Sequence, residues 1–258
     1  MTTCFRRLSI FMPLLLGIRC FMCTFAANYR MSLMKRLLLT VCYISFVLGC
    51  TAQPLMRDVF AAMPDTVLPL VTKNNRLDCI DYIENHMTAR VRNKVNEYVT
   101  LEALTSDYAR FRTSTAAVME LKLLPTSDST AVLCMVTTAE AGEKETPRYV
   151  EDSNIRLLNA DWSSLPADSP VSVESVKQAR EGDGFYVTEV ADSIRFAVER
   201  AQASLKSFRP VRLQLSPQDA TLTLSLQTGY LDIREKRALK DVLRPVTMRW
   251  NGQMFVLQ

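Results

Sequence analysis

The chain has 258 residues, 31 Lys and Arg against 27 Asp and Glu, and 48% hydrophobic side chains. Its basic excess is confined to residues 1–52, which hold Arg6, Arg7, Arg19, Arg30, Lys35 and Arg36 and no acidic residue. The remaining 206 residues carry 25 basic and 27 acidic groups, a net charge of −2, which leaves no charge-based case for nucleic acid as a partner.

Met34-Lys35-Arg36 begins a short cationic segment, Leu37 to Leu48 is apolar except at Thr40 and Ser45, and Gly49 to Ala52 ends in small residues. That order is a secretory signal peptide over 34–52. Residues 1–33 read as an extension from an upstream start; their apolar patch, Ile10 to Ile18, is too short to span a bilayer, which needs about 20 residues. Val47-Leu48-Gly49-Cys50 resembles a lipobox, whereas Cys50 and Ala52 suit ordinary cleavage before Gln53. The expected product is periplasmic or secreted, with membrane attachment only through lipidation at Cys50. Its length suffices to bury roughly 70% of the unfolded surface, so no disulfide scaffold is required.

Beyond the leader, Pro54 to Ala62 suits a short helix with Pro in its first turn. Asn75 is placed to cap a helix from Arg76 to about Ala89, with Leu77, Ile80, Ile83 and Met87 facing a core. The period then changes to two. Met119, Leu121 and Leu123 alternate with Glu120 and Lys122, residues 125–128 turn, and Ala131 to Val136 returns apolar on both faces. Tyr149-Val150, a turn over 151–154 and Ile155 to Leu158 read as another hairpin.

The segment 161–190 is linker-like, with Ser and Pro concentrated at 163–172 and a short helix from Val173 to Glu181 stopped by Gly182. It divides a helix-plus-sheet half at 53–160 from a helix-plus-two-hairpin half at 191–258. In the second half Asp192 caps a helix with its stripe at Ile194, Val198, Ala201 and Leu205, and Arg195 pairs with Glu199. Val211, Leu213 and Leu215, a turn at 216–219, and Leu222, Leu224 and Leu226 form a clear strand pair. A short helix fits Arg234 to Leu243. Val246 to Trp250 and Gln253 to Leu257 flank Asn251-Gly252 as a two-residue hairpin turn. The fold class is α+β: antiparallel sheets of β-hairpins packed against two main amphipathic helices. The halves share this order of elements but no residue-level match.

Reactive constellations are sparse. His86, the sole histidine, falls near a helix end and has no nucleophile elbow around it. Cys20 and Cys23 form a C-x-x-C only within the leader. Cys79 and Cys134 either pair as a disulfide after export or sit apart as small apolar residues. The acidic turns at 151–154 and 181–184 lack the ligand number of a calcium loop, and no glycine spacing matches a phosphate loop. Arg234, Lys236, Arg237, Lys240 and Arg244, interleaved with acidic residues, read as a solvated face. Trp162 and Trp250 have the rings to stack on sugars, although the parity of Trp250 with Val246 and Met248 favours the core. No catalytic residue, metal or cofactor is assigned. The runner-up to a binding role is a hydrolase using dispersed carboxylates, and a third reading is a lipid-anchored subunit of an outer-membrane complex.

Lys73-Asn74-Asn75-Arg76-Leu77-Asp78, Ile80-Asp81-Tyr82-Ile83, Val118 to Pro125 and Asn159-Ala160-Asp161-Trp162 resemble domain of unknown function 3256, a family of exported proteins from Bacteroides-type bacteria. The resemblance spans residues 55–258. It implies export and a single unit but no chemistry. The expected role is binding or assembly at the envelope, with a protein or glycan as partner.

Overall fold

A computed structural model describes residues 54–258 apart from 128, 129, 147, 188, 189 and 191. The predicted signal peptide and Cys50 lie outside the described residues. Two antiparallel sheets, each a meander in chain order, organise the chain. The first is β1 (Arg90–Arg92), β2 (Tyr98–Leu104), β3 (Tyr108–Ser114), β4 (Ala117–Pro125), β5 (Ala131–Ala141) and β6 (Val150–Asn159). The second is β7 (Val211–Leu215), β8 (Thr221–Leu226), β9 (Val246–Trp250) and β10 (Phe255–Leu257). Helices α1 (Met56–Ala61), α2 (Lys73–Glu84), α3 (Glu174–Glu181), α4 (Asp192–Ser207) and α5 (Ile233–Leu239) complete the α+β fold.

The six-stranded sheet is the middle layer. Phe111, Met119, Leu121, Leu133 and Met135 pack on one face against Met56, Val59 and Phe60 of α1 and Cys79 and Ile80 of α2. From the other face Leu124, Val132, Cys134 and Val136 meet Val211, Leu213, Leu222, Leu224 and Met248 of the four-stranded sheet. This second covering explains why β4 and β5 are apolar on both sides. A third cluster joins Val198, Ala201 and Leu205 of α4 to Leu231, Leu239 and Val242.

Several expectations shift by a turn or a face. Helix α2 begins earlier: Thr72 is its cap and accepts from the Asn75 N–H, while Asn75 is the reciprocal partner of a capping box. Its buried side is Arg76, Cys79 and Ile80, whereas Leu77 is 40% and Met87 51% exposed. A buried arginine takes the place of a leucine because its guanidinium has carbonyls to meet. Arg76 donates to the Val71 and Met63 carbonyls and to Asp65, pinning the 63–71 loop onto the helix. Residues 151–154 do not turn; β6 runs straight through them, paired with Thr137 to Glu140 of β5. The last hairpin has a four-residue loop, since Phe255 pairs with Trp250, and the Asn251 side chain accepts from the Gln253 and Met254 N–H groups. Arg195 pairs with Asp192, at 2.5 Å, one turn back and not forward with Glu199. Helix α5 starts at Ile233 behind a capping box of Asp232 and Glu235 and ends at Leu239.

Strand β7 is an edge strand whose N–H groups are met by side chains of the other sheet. The Val211 N–H donates to Asp152 Oδ1 (3.0 Å), the Leu213 N–H to Ser153 Oγ (3.0 Å) and the Leu215 N–H to Glu120 Oε2 (3.4 Å). The polar run misread as a turn is therefore the surface on which the second sheet is seated.

Candidate functional site

His86 has φ 59°, and it stands just past α2 as the left-handed residue of a Schellman motif. Its N–H donates to the Ile83 carbonyl and that of Met87 to the Tyr82 carbonyl. Cys79 and Cys134 are free, buried thiols in the clusters on opposite faces of the middle sheet, the second of the two arrangements the sequence left open. Burial raises both pKa values, that of Cys79 to about 11, and the charge of Glu120 adds to the rise at Cys134. Neither is a thiolate nucleophile at neutral pH. The tryptophans are core pins: Trp162 Nε1 donates to the Val59 carbonyl (2.8 Å) and Trp250 Nε1 to the Pro125 carbonyl (2.6 Å). Neither ring is open for a sugar. No group of three or more His, Cys, Asp or Glu among the described residues could hold a metal ion, and no helix among them is long and apolar enough to cross a membrane.

The carboxylates on the inner face of the middle sheet form a ladder with cations. A bulge between Leu101 and Ala103 turns Glu102 toward Arg110 (2.7 Å) and Arg112 (3.0 Å). Glu120, nearly sealed from water, accepts from Tyr108 Oη (2.8 Å) and Arg110 Nη1 (2.7 Å). Glu140 accepts both Arg112 Nη1 and Nη2, and Glu151 pairs with Arg212 of β7 at 3.1 Å. The buried Lys122 amine reaches Asp107 (2.9 Å) and the Pro217 carbonyl (3.2 Å), tying the β7–β8 turn to the sheet. Burial pushes the Glu140 carboxyl upward, but the Arg112 hydrogen bonds and charge, with Lys144 and Tyr149, outweigh it and hold the pKa below 4.5. The Tyr149 hydroxyl is pushed up to about 12 by burial and by Glu151 and Glu140. A general acid needs a raised carboxyl pKa. This ladder instead keeps Glu140 ionised and holds two sheets together.

Open space lies elsewhere. A groove of about 880 Å³ runs between the β5–β6 loop and the start of α5, with Arg200 of α4 on its wall. Arg148, Arg200, Arg234 and Lys236 line it together with the apolar Leu231 and Ile233 and the carboxylates Glu143 and Asp232. Lys236 Nζ is committed to the Gly229 carbonyl (2.7 Å), and Arg200 lies 3.9 Å from Glu235. Arg148 and Arg234 stand exposed, and the Glu235 N–H, with the Arg234 N–H and charge, acts on the Asp232 carboxylate and holds its pKa down. Ile233 on the same groove is 70% exposed. The groove depends on two glycines. Gly142 has φ +86°, and a Cβ on Gly229 would lie 1.9 Å from the Tyr149 carbonyl oxygen. A narrower cleft of about 460 Å³ opens on the other flank of α4, beside Tyr186 and Arg209. Arg234, Lys236 and Arg244 were visible as a basic run in the sequence, but their companions Arg148, Arg200 and Arg209 come from three other elements and carry no local signal.

No curated protein matches this chain. A solved structure described as a domain of an uncharacterized protein from Porphyromonas gingivalis W83 is similar at 27% identity and a TM-score of 0.60, covering 81% of this chain and 99% of the other. Residues 47–255 match the family described as Protein of unknown function (DUF3256), across both sheets and every helix. The chain thus belongs to the DUF3256 family.

Proposed function

We propose that this is an exported envelope protein that acts by binding, and that its groove receives an acidic segment of a partner protein. The observation that supports the reading is that Arg148, Arg200, Arg234 and Lys236 line one groove together with the exposed Ile233. The cations outnumber the carboxylates Glu143 and Asp232 along the groove and so favour an acidic segment, and the apolar Leu231 and Ile233 beside them add affinity that a purely charged surface lacks. An extended, openly accessible groove suits a chain segment better than a small metabolite. Export rests on the cationic, apolar and small-residue order of Met34 to Ala52.

A photo-crosslinker at Thr146, on the groove wall, tests the binding role in envelope fractions. An acidic protein crosslinks to the wild-type chain, and the adduct disappears in R148E/R234E and weakens with added salt. A crosslink that survives the double charge reversal, or one to a neutral glycan only, overturns the reading. Mass spectrometry of the mature N-terminus tests export: a free Gln53 marks a soluble product, an acylated Cys50 a lipid-anchored one, and an intact Met1 in the cytosol refutes both.

A further inference from the structure

The second cleft differs from the groove in shape and chemistry. It is about 460 Å³, and its walls carry Asp183, Tyr186, Gln202, Lys206, Arg209 and Arg244. Elsewhere the inward-turned cations reach carboxylates, as Arg110, Arg112, Lys122, Arg180 and Arg212 do. The three cations here, Arg209 half-buried and Lys206 and Arg244 exposed at the mouth, make no ion pair among the described residues. Lys206 has no hydrogen bond either. Arg244 commits only Nε, to the Gly184 carbonyl (3.3 Å). Arg209 donates from Nη1 to the Glu181 carbonyl (2.9 Å) and from Nη2 to the Gly182 carbonyl, while its Nε is buried without an acceptor.

These contacts make Arg209 a fixed donor. The carbonyls are those that end α3, where a cation is favoured, and the guanidinium carbon sits 5.4 Å from the centre of the Phe185 ring. Lys206 and Arg244, which keeps N–H groups uncommitted, line the same cleft. With Asp183 the lining has a net charge of +2, which complements the dianion of a phosphate monoester near neutral pH. Burial raises the Tyr186 pKa, Arg209 opposes the rise and Asp183 adds to it, so the hydroxyl remains a proton donor. Asp183 and the Gln202 carbonyl supply acceptors for ligand hydroxyls.

We propose that this cleft is a binding site for a phosphomonoester carried on a hydroxylated body, with Lys206, Arg209 and Arg244 holding the phosphate. The same chemistry is presented by a soluble sugar phosphate and by the phosphate headgroup of a lipid. Binding here is independent of the groove on the opposite flank of α4.

The test uses the full chain, titrated calorimetrically with glucose 6-phosphate and inorganic phosphate and floated with phosphatidylcholine vesicles with or without phosphatidic acid. The expected result is saturable binding of one phosphomonoester per chain with Kd below about 1 mM. Lys206→Ala and Arg244→Ala each weaken it by about tenfold or more, the range expected for a lost charge-assisted hydrogen bond, without altering the melting temperature. Glucose 6-phosphate binding without flotation identifies a soluble ligand, and flotation that needs phosphatidic acid and both cations identifies a lipid headgroup. R148A/R234A leaves either behaviour unchanged, so failure of the groove reading is separable. No saturable binding of any probe, binding indifferent to Lys206 and Arg244, or equal loss in R148A/R234A overturns the proposal.

Discussion

His86 carries a positive φ at the position where helices favour glycine. It makes no catalytic hydrogen bond, so its side chain adds little there while its Cβ opposes the left-handed backbone. His86→Gly is expected to leave stability unchanged or raise it by up to about 1 kcal/mol in urea denaturation, and His86→Val to lower it by about 1–2 kcal/mol. At Glu140 the argument is electrostatic. The folded pKa lies below the ordinary 4.5, so the carboxylate's contribution is complete above that value and is lost as pH falls through the folded one. Glu140→Gln is therefore expected to cost about 1–3 kcal/mol at pH 7 and to flatten the fall of melting temperature below pH 4.5. The cysteines offer a third check. Peptide mass spectrometry should find Cys79 and Cys134 unmodified by iodoacetamide in the native protein and alkylated after denaturation, because both are buried with raised pKa values.

Among the elements, those that build their own periodicity were readable. Val211 to Leu226 alternates cleanly, and the structure has β7 and β8 within those limits with Leu213 paired to Leu224. The stripe of α4 is buried at Val198, Ala201 and Leu205, but Ile194 is 37% exposed. Misreadings occur where one element serves another distant in sequence. Glu120 and Lys122 look like the wet side of a strand until β7 and the Pro217 turn arrive about ninety residues later to cover them. Residues 151–154 have turn composition because Asp152 and Ser153 bond to β7. Ser153→Ala tests that explanation. Removing Oγ leaves the Leu213 N–H buried without an acceptor, and the expected cost is about 1–3 kcal/mol in urea denaturation, with the sheet content by circular dichroism unchanged. A cost near zero would show that the bond is dispensable for seating β7. The groove was less legible than the sheets, since cations from a loop and two helices meet there only after folding.

At the scale of the molecule, the described residues form one compact unit in which the six- and four-stranded sheets share an apolar and charged seam. Glu151–Arg212, Glu120 with the Leu215 N–H, Lys122 with Pro217, and Trp250 with the Pro125 carbonyl all cross it. Separate unfolding of either half would strip these partners from the other. One cooperative urea transition is accordingly expected, with W162F and W250F, each retaining one tryptophan in a different apolar cluster, reporting a shared midpoint by fluorescence. Two resolved midpoints would show that the seam does not couple the halves. The seam has a further consequence for how this chain behaves in a crowded compartment. The donors along β7 are turned inward onto a carboxylate, a hydroxyl and a second carboxylate, so that flank gives an incoming polypeptide no ladder to zip onto. The fold thereby guards one of its own margins against fibrillar growth.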